Sequence, residues 1–172
     1  GLPVEYLPHS YDSTRHFPME VGPEYQSDVY FYGTWWPERG KLLESLKARS
    51  NGHRFDIGGP VPHVAGADIV GIEENSPVGK KTPRLLDNAE LVRHYCGTKI
   101  ALNHNRTIIG RDSQGEELHI GEAYSLGPRA YEITACGAFQ VCDDQRPELH
   151  EVFGDSVATY HDGRDLLTKV EY

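Results

Sequence analysis

Residues 28–59 read DVYFYGTWWPERGKLLESLKARSNGHRFDIGG. The opening DVYFYGT, residues 28–34, is a run of β-formers that stops at Gly33, and it predicts a buried strand. Pro37 suits the first position of a helix, where a missing N–H costs nothing. Leu42, Leu43 and Leu46 then lie on one apolar stripe that runs to about residue 49. Asn51-Gly52 ends the helix, and HRFDIGG offers a second strand. A strand, a helix and a second strand in this order open an alternation that predicts a parallel sheet.

The rest of the chain continues the alternation. Residues 58–83 are loop-rich, with five Gly and four Pro. In RLLDNAELVRHYC, residues 84–96, Leu85, Ala89, Val92 and Tyr95 or Cys96 recur at helical spacing, and KIALN at 99–103 is a short strand. TIIGR and EELHI flank a Ser113-Gln114-Gly115 turn, so residues 106–120 predict a β-hairpin at an edge or over the site. A helix follows from Pro128 to Cys136 and stops at Gly137. AFQVC at 138–142 is a strand, Pro147 to Phe153 a short helix stopped by Gly154, and Val157 to Tyr160 a strand. Asp162 caps a last helix carrying Leu166, Leu167 and Val170. The expected fold class is α/β: a Rossmann-like parallel sheet with helices on both faces, plus the hairpin insertion.

Residues 1–27 are rich in Pro, Tyr and His and show no period, so an irregular arm precedes a domain at 28–172. The start, GLPVEYLPHSYD, has no Met and no basic segment followed by an apolar one. It reads as a piece of a longer chain whose upstream domain is missing. A length of 172 residues, 38% apolar and 25% charged, is enough for one domain with its own core, and no apolar run is long enough for a membrane span. The net charge of −9 disfavours a phosphate backbone as partner, since that affinity comes from Lys and Arg. A nucleic-acid acceptor is thus left open but unsupported. Cys96, Cys136 and Cys142 fit no zinc spacing and cannot all pair, which points to reduced thiols in a cytoplasm.

In open α/β sheets ligands bind beyond the carboxyl ends of the strands. The most informative loop there is Tyr124-Ser125-Leu126-Gly127-Pro128-Arg129. Gly127 lets backbone approach a ligand, and the helix that starts at Pro128 has a first turn suited to a pyrophosphate. Arg129 adds a fork of donors, and Glu132, on the same helix face, has a carboxylate able to accept from a ribose diol. An ordinary helix with a surface Arg–Glu pair has the same spacing.

The stretch SLGPRAYEITACGAFQVCDDQRPELHEVFGDSVATYHDGRDLLTKV resembles the C-terminal signature of CgeB-like (spore maturation protein) glycosyltransferases, within the group-1, GT-B-type enzymes. The matching features are Arg129 and Glu132 before Ala135-Cys136-Gly137, then Asp144 with Arg146-Pro147-Glu148-Leu149, a Phe-Gly turn, Tyr160 and Asp165-Leu166-Leu167. DVYFYGTWWPERGKLLESL, KIALNHNR and YLPHSYD resemble the family's first strand and helix, its Ala-Leu-Asn strand and its entering linker. The resemblance implies glycosyl transfer from a nucleoside-diphosphate sugar, UDP-sugars being favoured, without a cofactor or essential metal. It implies that Glu132 binds the ribose and that Arg129 stabilises the leaving diphosphate. Backbone N–H groups of Ser125, Leu126 and Gly127 would meet the diphosphate. Arg39 would assist, and Gly33 and Thr34 would line the crevice. An N-terminal domain would bring the acceptor, itself unknown. The sequence departs from the Glu-x7-Glu pattern common among group-1 enzymes: Glu132 matches the second Glu, but Tyr124 stands at the first. That departure favours the rival reading, a non-catalytic interaction module that keeps the fold.

Other residues carry weaker signals. Asp143 and Asp144 follow a strand end, where a metal site or a cap for the helix at Pro147 is expected, the cap being preferred. His104, just past a strand, is either a general base or a structural His. Lys80, Lys81 and Arg84 form a basic cluster that reads as a solvated face. Of Trp35 and Trp36, one is expected in the core and the other at a base or a domain interface.

Overall fold

A computed structural model describes residues 5–49, 52–59, 86–119 and 121–171. The Lys80, Lys81 and Arg84 cluster and most of the 58–83 loop lie outside the described residues. The first unit forms as its sequence predicts, with β1 (Ser27–Tyr32), α1 (Pro37–Ala48) and β2 (Phe55–Gly58). After it come α2 (Asn88–Gly97), β3 (Thr98–Asn103), the hairpin strands β4 (Ile108–Arg111) and β5 (Glu117–His119), and α3 (Pro128–Ala135). The chain closes with β6 (Gln140–Asp143), α4 (Glu148–Phe153), β7 (Ala158–Tyr160) and α5 (Gly163–Glu171).

The main sheet has five strands in the order β2-β1-β3-β6-β7. All four pairings are parallel, with Val29 opposite Phe55 and Ile100, Leu102 opposite Val141, and Cys142 opposite Thr159. This is a Rossmann-like α/β sheet. Strand order reverses between β1 and β3, which makes the gap at their carboxyl ends a topological switch point. The hairpin β4–β5 is antiparallel and forms its own small sheet.

Side-chain alternation along β1 separates the two faces. Val29 and Phe31 pack with Leu43 and Leu46 of α1 and Leu166 of α5. Tyr30 and Tyr32 face the other way, onto Leu91, Val92 and Tyr95 of α2 and Ile133 of α3. A third cluster joins Leu126 and Ala130 to Leu149 of α4, Cys142 and Val157. Burial of this kind is worth about 25 cal/mol per Å² of apolar surface, so β1, apolar or aromatic on both faces, is the strand around which the layers assemble.

The helix ends follow simple chemistry. Asp87 caps α2 by accepting from the Glu90 N–H at 2.8 Å, so the helix begins at Asn88 rather than at residue 84. Ala89 is exposed there, and Leu91 takes the buried position instead. Gly137 ends α3 with φ +73°, a conformation that favours glycine. Asp162 caps α5 through the Arg164 and Asp165 N–H groups at 2.8 and 2.9 Å.

Residues 5–22 have no regular secondary structure and lie against the domain; a single 3-10 turn, Pro23–Tyr25, leads into β1. The Tyr6 hydroxyl donates to Glu148 at 2.6 Å, and Phe17 and Pro18 meet Cys96 and Gly137 at the ends of α2 and α3. Cys96, Cys136 and Cys142 are all free thiols.

Candidate functional site

The switch point opens into a crevice of about 330 Å³. Its floor is made by Tyr32 and Gly33 at the end of β1 and by Asn103, His104 and Asn105 at the end of β3. Ser125, Leu126 and Gly127 bring the entrance of α3 to it, and His9 of the arm reaches its lining. Four arginines, Arg39, Arg106, Arg129 and Arg146, line it, and no Asp or Glu does so among the described residues. Although the chain is acidic overall, this crevice concentrates positive charge in low-dielectric walls, which suits a polyanion.

Two of these arginines are fixed by backbone oxygens. From α1, Arg39 donates to the Thr34 carbonyl at 3.0 Å and the His104 carbonyl at 2.6 Å. It therefore ties the turn after β1 to the turn after β3, across the switch point. Arg146 donates to the Ala123 carbonyl at 3.1 Å and the Arg106 carbonyl at 2.8 Å, which joins the base of the hairpin to the loop before α3. Arg106 lies over the Trp36 ring at 6.0 Å. Arg129 donates to the Tyr95 hydroxyl and stacks its guanidinium over Tyr32 at 5.5 Å. Each head group is thus oriented before any ligand arrives, which reduces the entropy lost on binding.

Of the residues singled out in the sequence, Gly33, Arg39, Ser125, Leu126, Gly127 and Arg129 come together in this crevice. Thr34 meets it through Arg39. Gly127 leaves open space where a Cβ would stand, so backbone at the α3 entrance can meet a ligand. The Leu126 N–H does not have the role expected of it. It donates to Glu148 Oε2 at 2.5 Å, while the Leu126 side chain is buried in the third core cluster. Glu132 is outside the crevice lining, and its Oε1 lies 4.0 Å from Nε2 of the buried His16 in the arm.

Tyr124 donates its hydroxyl to Glu151, whose carboxylate is the main reason its pKa is pushed up to about 12. Tyr6 packs edge-on against it with ring centroids 5.5 Å apart. Position 124 therefore carries a neutral aromatic hydroxyl bound to Glu151 rather than a carboxylate.

Asp143, the last residue of β6, and Asp144 after it do not cap the helix at Pro147. Helix α4 starts at Glu148 with no side-chain cap. Asp143, 1% exposed, accepts from the backbone and side-chain amides of Asn105, the latter at 3.0 Å. Asp144 pairs with His161 at 3.0 Å, and that carboxylate raises the His161 pKa. Both are drawn away by partners that lie distant in sequence. Trp35 packs against the first core cluster, and Trp36 meets Arg106 beside the crevice.

Arg106 and Arg146 were not foreseen as site residues. Arg146 stood in the Arg-Pro-Glu-Leu motif, but its place in the crevice depends on the distant Ala123 and Arg106 carbonyls that it binds. His104 joins the lining with its Nδ1 2.5 Å from the Tyr160 hydroxyl and 3.6 Å from Asp143 Oδ2. Burial holds the His104 imidazole below its usual pKa; Asp143 opposes that shift and Arg39 adds to it.

A protein-family model described as "Glycosyl transferase-like" matches residues 38–172. No curated protein matches the chain.

Proposed function

The chain belongs to the glycosyl transferase-like family, and from that premise we propose that it is the donor-binding half of a GT-B-type glycosyltransferase, of the CgeB-like kind. Its donor is a nucleoside-diphosphate sugar, UDP-sugars being favoured. The observation that carries this reading is the crevice at the β1/β3 switch point, with four arginines and the entrance of α3 around a space free of carboxylates among the described residues.

Glycosyl transfer breaks the bond between the anomeric carbon and the β-phosphate oxygen, so negative charge grows on the departing diphosphate. Preorganised cations and helix N–H groups aimed at that charge lower the barrier. Arg39, Arg129 and Arg146 are oriented for this role by their hydrogen bonds and ring contacts. Glu132 binds the ribose diol from the face of α3 that borders the arm. The acceptor and the catalytic base come from a partner domain.

Thermal-shift and calorimetric titrations with UDP, GDP, ADP and TDP, each with and without EDTA, test the reading. One diphosphate is expected to bind, and EDTA to leave its affinity unchanged. No response to any of them would sink the reading for this chain.

A second reading, a non-catalytic interaction module, is favoured by Tyr124 at the first Glu position and by the engagement of the Leu126 N–H with Glu148. Glu132→Ala separates the two. A donor-binding domain loses nucleotide affinity, and a scaffold keeps its partner.

A further inference from the structure

Resting on the donor-binding reading, we propose that His104 contacts the donor diphosphate through Nε2, and that its imidazole takes up one proton from solvent as the nucleotide sugar binds. The ring lines the crevice while its Nδ1 is turned towards Tyr160 and Asp143. Nε2, on the opposite edge of the imidazole, is the ring atom left for the crevice. Tyr160 lies nearly parallel to the ring, 16° between planes, and holds its orientation.

The charged and titratable groups around the ring define the switch. Behind it stand Asp143 from β6 and Tyr160 from β7. Arg39 from α1 binds the carbonyl of His104 itself. Arg106, Arg129, Arg146 and His9 of the arm share the crevice. Without a ligand, burial and then the Arg39 guanidinium disfavour an imidazolium and outweigh Asp143, in keeping with the lowered His104 pKa. A diphosphate reverses the local field. Nε2–H then donates to a phosphate oxygen and Nδ1–H to Tyr160 or Asp143, so both ring protons are satisfied and the buried Asp143 gains a counter-charge. The balance is simple: neutral imidazole plus a solvent proton gives imidazolium, and no bond in the donor breaks. His104 thus supplies a cation only when its anionic partner is present, whereas each arginine is charged at all times.

The test is calorimetric titration of the 172-residue chain with UDP-, GDP-, ADP- and TDP-glucose at neutral pH, in two buffers of different ionisation enthalpy. These diphosphates are diesters with no proton of their own to exchange near neutrality. One of them is expected to bind with a heat that depends on the buffer, in the sense of proton uptake. His104→Gln is expected to keep binding but lose that dependence. The wild-type affinity should fall by up to about tenfold per pH unit between the His104 pKa of the free protein and the higher His104 pKa of the complex, levelling off above the latter, and that of His104→Gln should stay flat. His161→Asn, at an exposed position paired with Asp144, is expected to behave as wild type. Binding without proton uptake, or uptake that survives His104→Gln, overturns the inference and leaves the donor reading standing. No binding of any nucleotide sugar, together with no binding of the free diphosphates, overturns the donor reading and the inference with it. Should His104→Gln not fold, NMR of the wild-type imidazoles reports the same event. One His turning cationic on nucleotide addition at constant pH supports the inference; nine unmoved His residues overturn it.

Discussion

The buried carboxylate of Glu148 holds the N–H of Leu126 at 2.5 Å, two residues before the start of α3. Its other oxygen accepts from the Tyr6 hydroxyl of the arm at 2.6 Å. Glu148 is 2% exposed, so it links three separate parts of the chain at the entrance to the crevice. Glu148→Ala strands the Leu126 N–H, and a buried unsatisfied donor costs roughly 1–3 kcal/mol. Urea unfolding is expected to show that loss, with a smaller one for Tyr6→Phe, which removes one exposed-side bond only. Equal stability of wild type and Glu148→Ala would show that this link carries no weight.

Arg129 binds Tyr95 and stacks on Tyr32 while lining the crevice, a combination that needs a planar fork of donors. Lysine keeps the charge but loses the geometry. Arg129→Lys is expected to weaken diphosphate binding about tenfold, the scale of one charge-assisted hydrogen bond. Calorimetry at fixed ionic strength decides it, and an unchanged Kd would assign Arg129 to packing alone.

Gly59 has φ +135°, and a Cβ there would lie 1.9 Å from the Gly33 carbonyl oxygen. The end of β2 and the turn after β1 therefore approach as only glycine allows. Gly59→Ala is expected to cost at least about 2 kcal/mol through clash and strained backbone. It should also weaken diphosphate binding, because the displaced turn carries the Thr34 carbonyl that orients Arg39. A variant as stable as wild type, with the same Kd, would refute both effects.

His94 stacks on Tyr30 at 4.6 Å with 3° between planes, and burial lowers its pKa below the ordinary 6.5. The unfolded chain therefore binds a proton more readily than the folded one. The stability this group contributes is present above pH 6.5 and is lost as pH falls towards its folded value. His104 shifts in the same direction and adds to the loss. Urea midpoints at pH 7.5 and 5.5 are expected to fall towards acid, and less so in His94→Gln. An acid loss of the same size in both proteins would place its origin elsewhere.

The sequence alone carried the layered fold. DVYFYGT was legible as a buried strand because β-formers on consecutive positions suit a strand covered on both faces. The helix stops at Gly137 and Gly154 and the cap at Asp162 were legible because they depend on neighbours within four residues. The Arg129 neighbourhood could be named as a site because a Gly-Pro helix start is itself a local signal.

What the sequence left open depends on contacts between distant residues. Strand order, and with it the switch point, follows from which edge each crossover takes, and no local pattern records that. Asp144 looked like a cap and became the partner of His161, 17 residues away. Leu126 looked like a ligand-facing amide and turned its N–H to Glu148, 22 residues on. Arg146 is held in the crevice by carbonyls of Ala123 and Arg106, and Arg106 by the ring of Trp36. Propensity and periodicity are short-range properties, so the sequence by itself determined the elements and their layering. Hydrogen bonding of buried groups is a competition among everything that folding brings near, and only the tertiary structure decided which polar groups are spent on holding the site and which remain for a ligand.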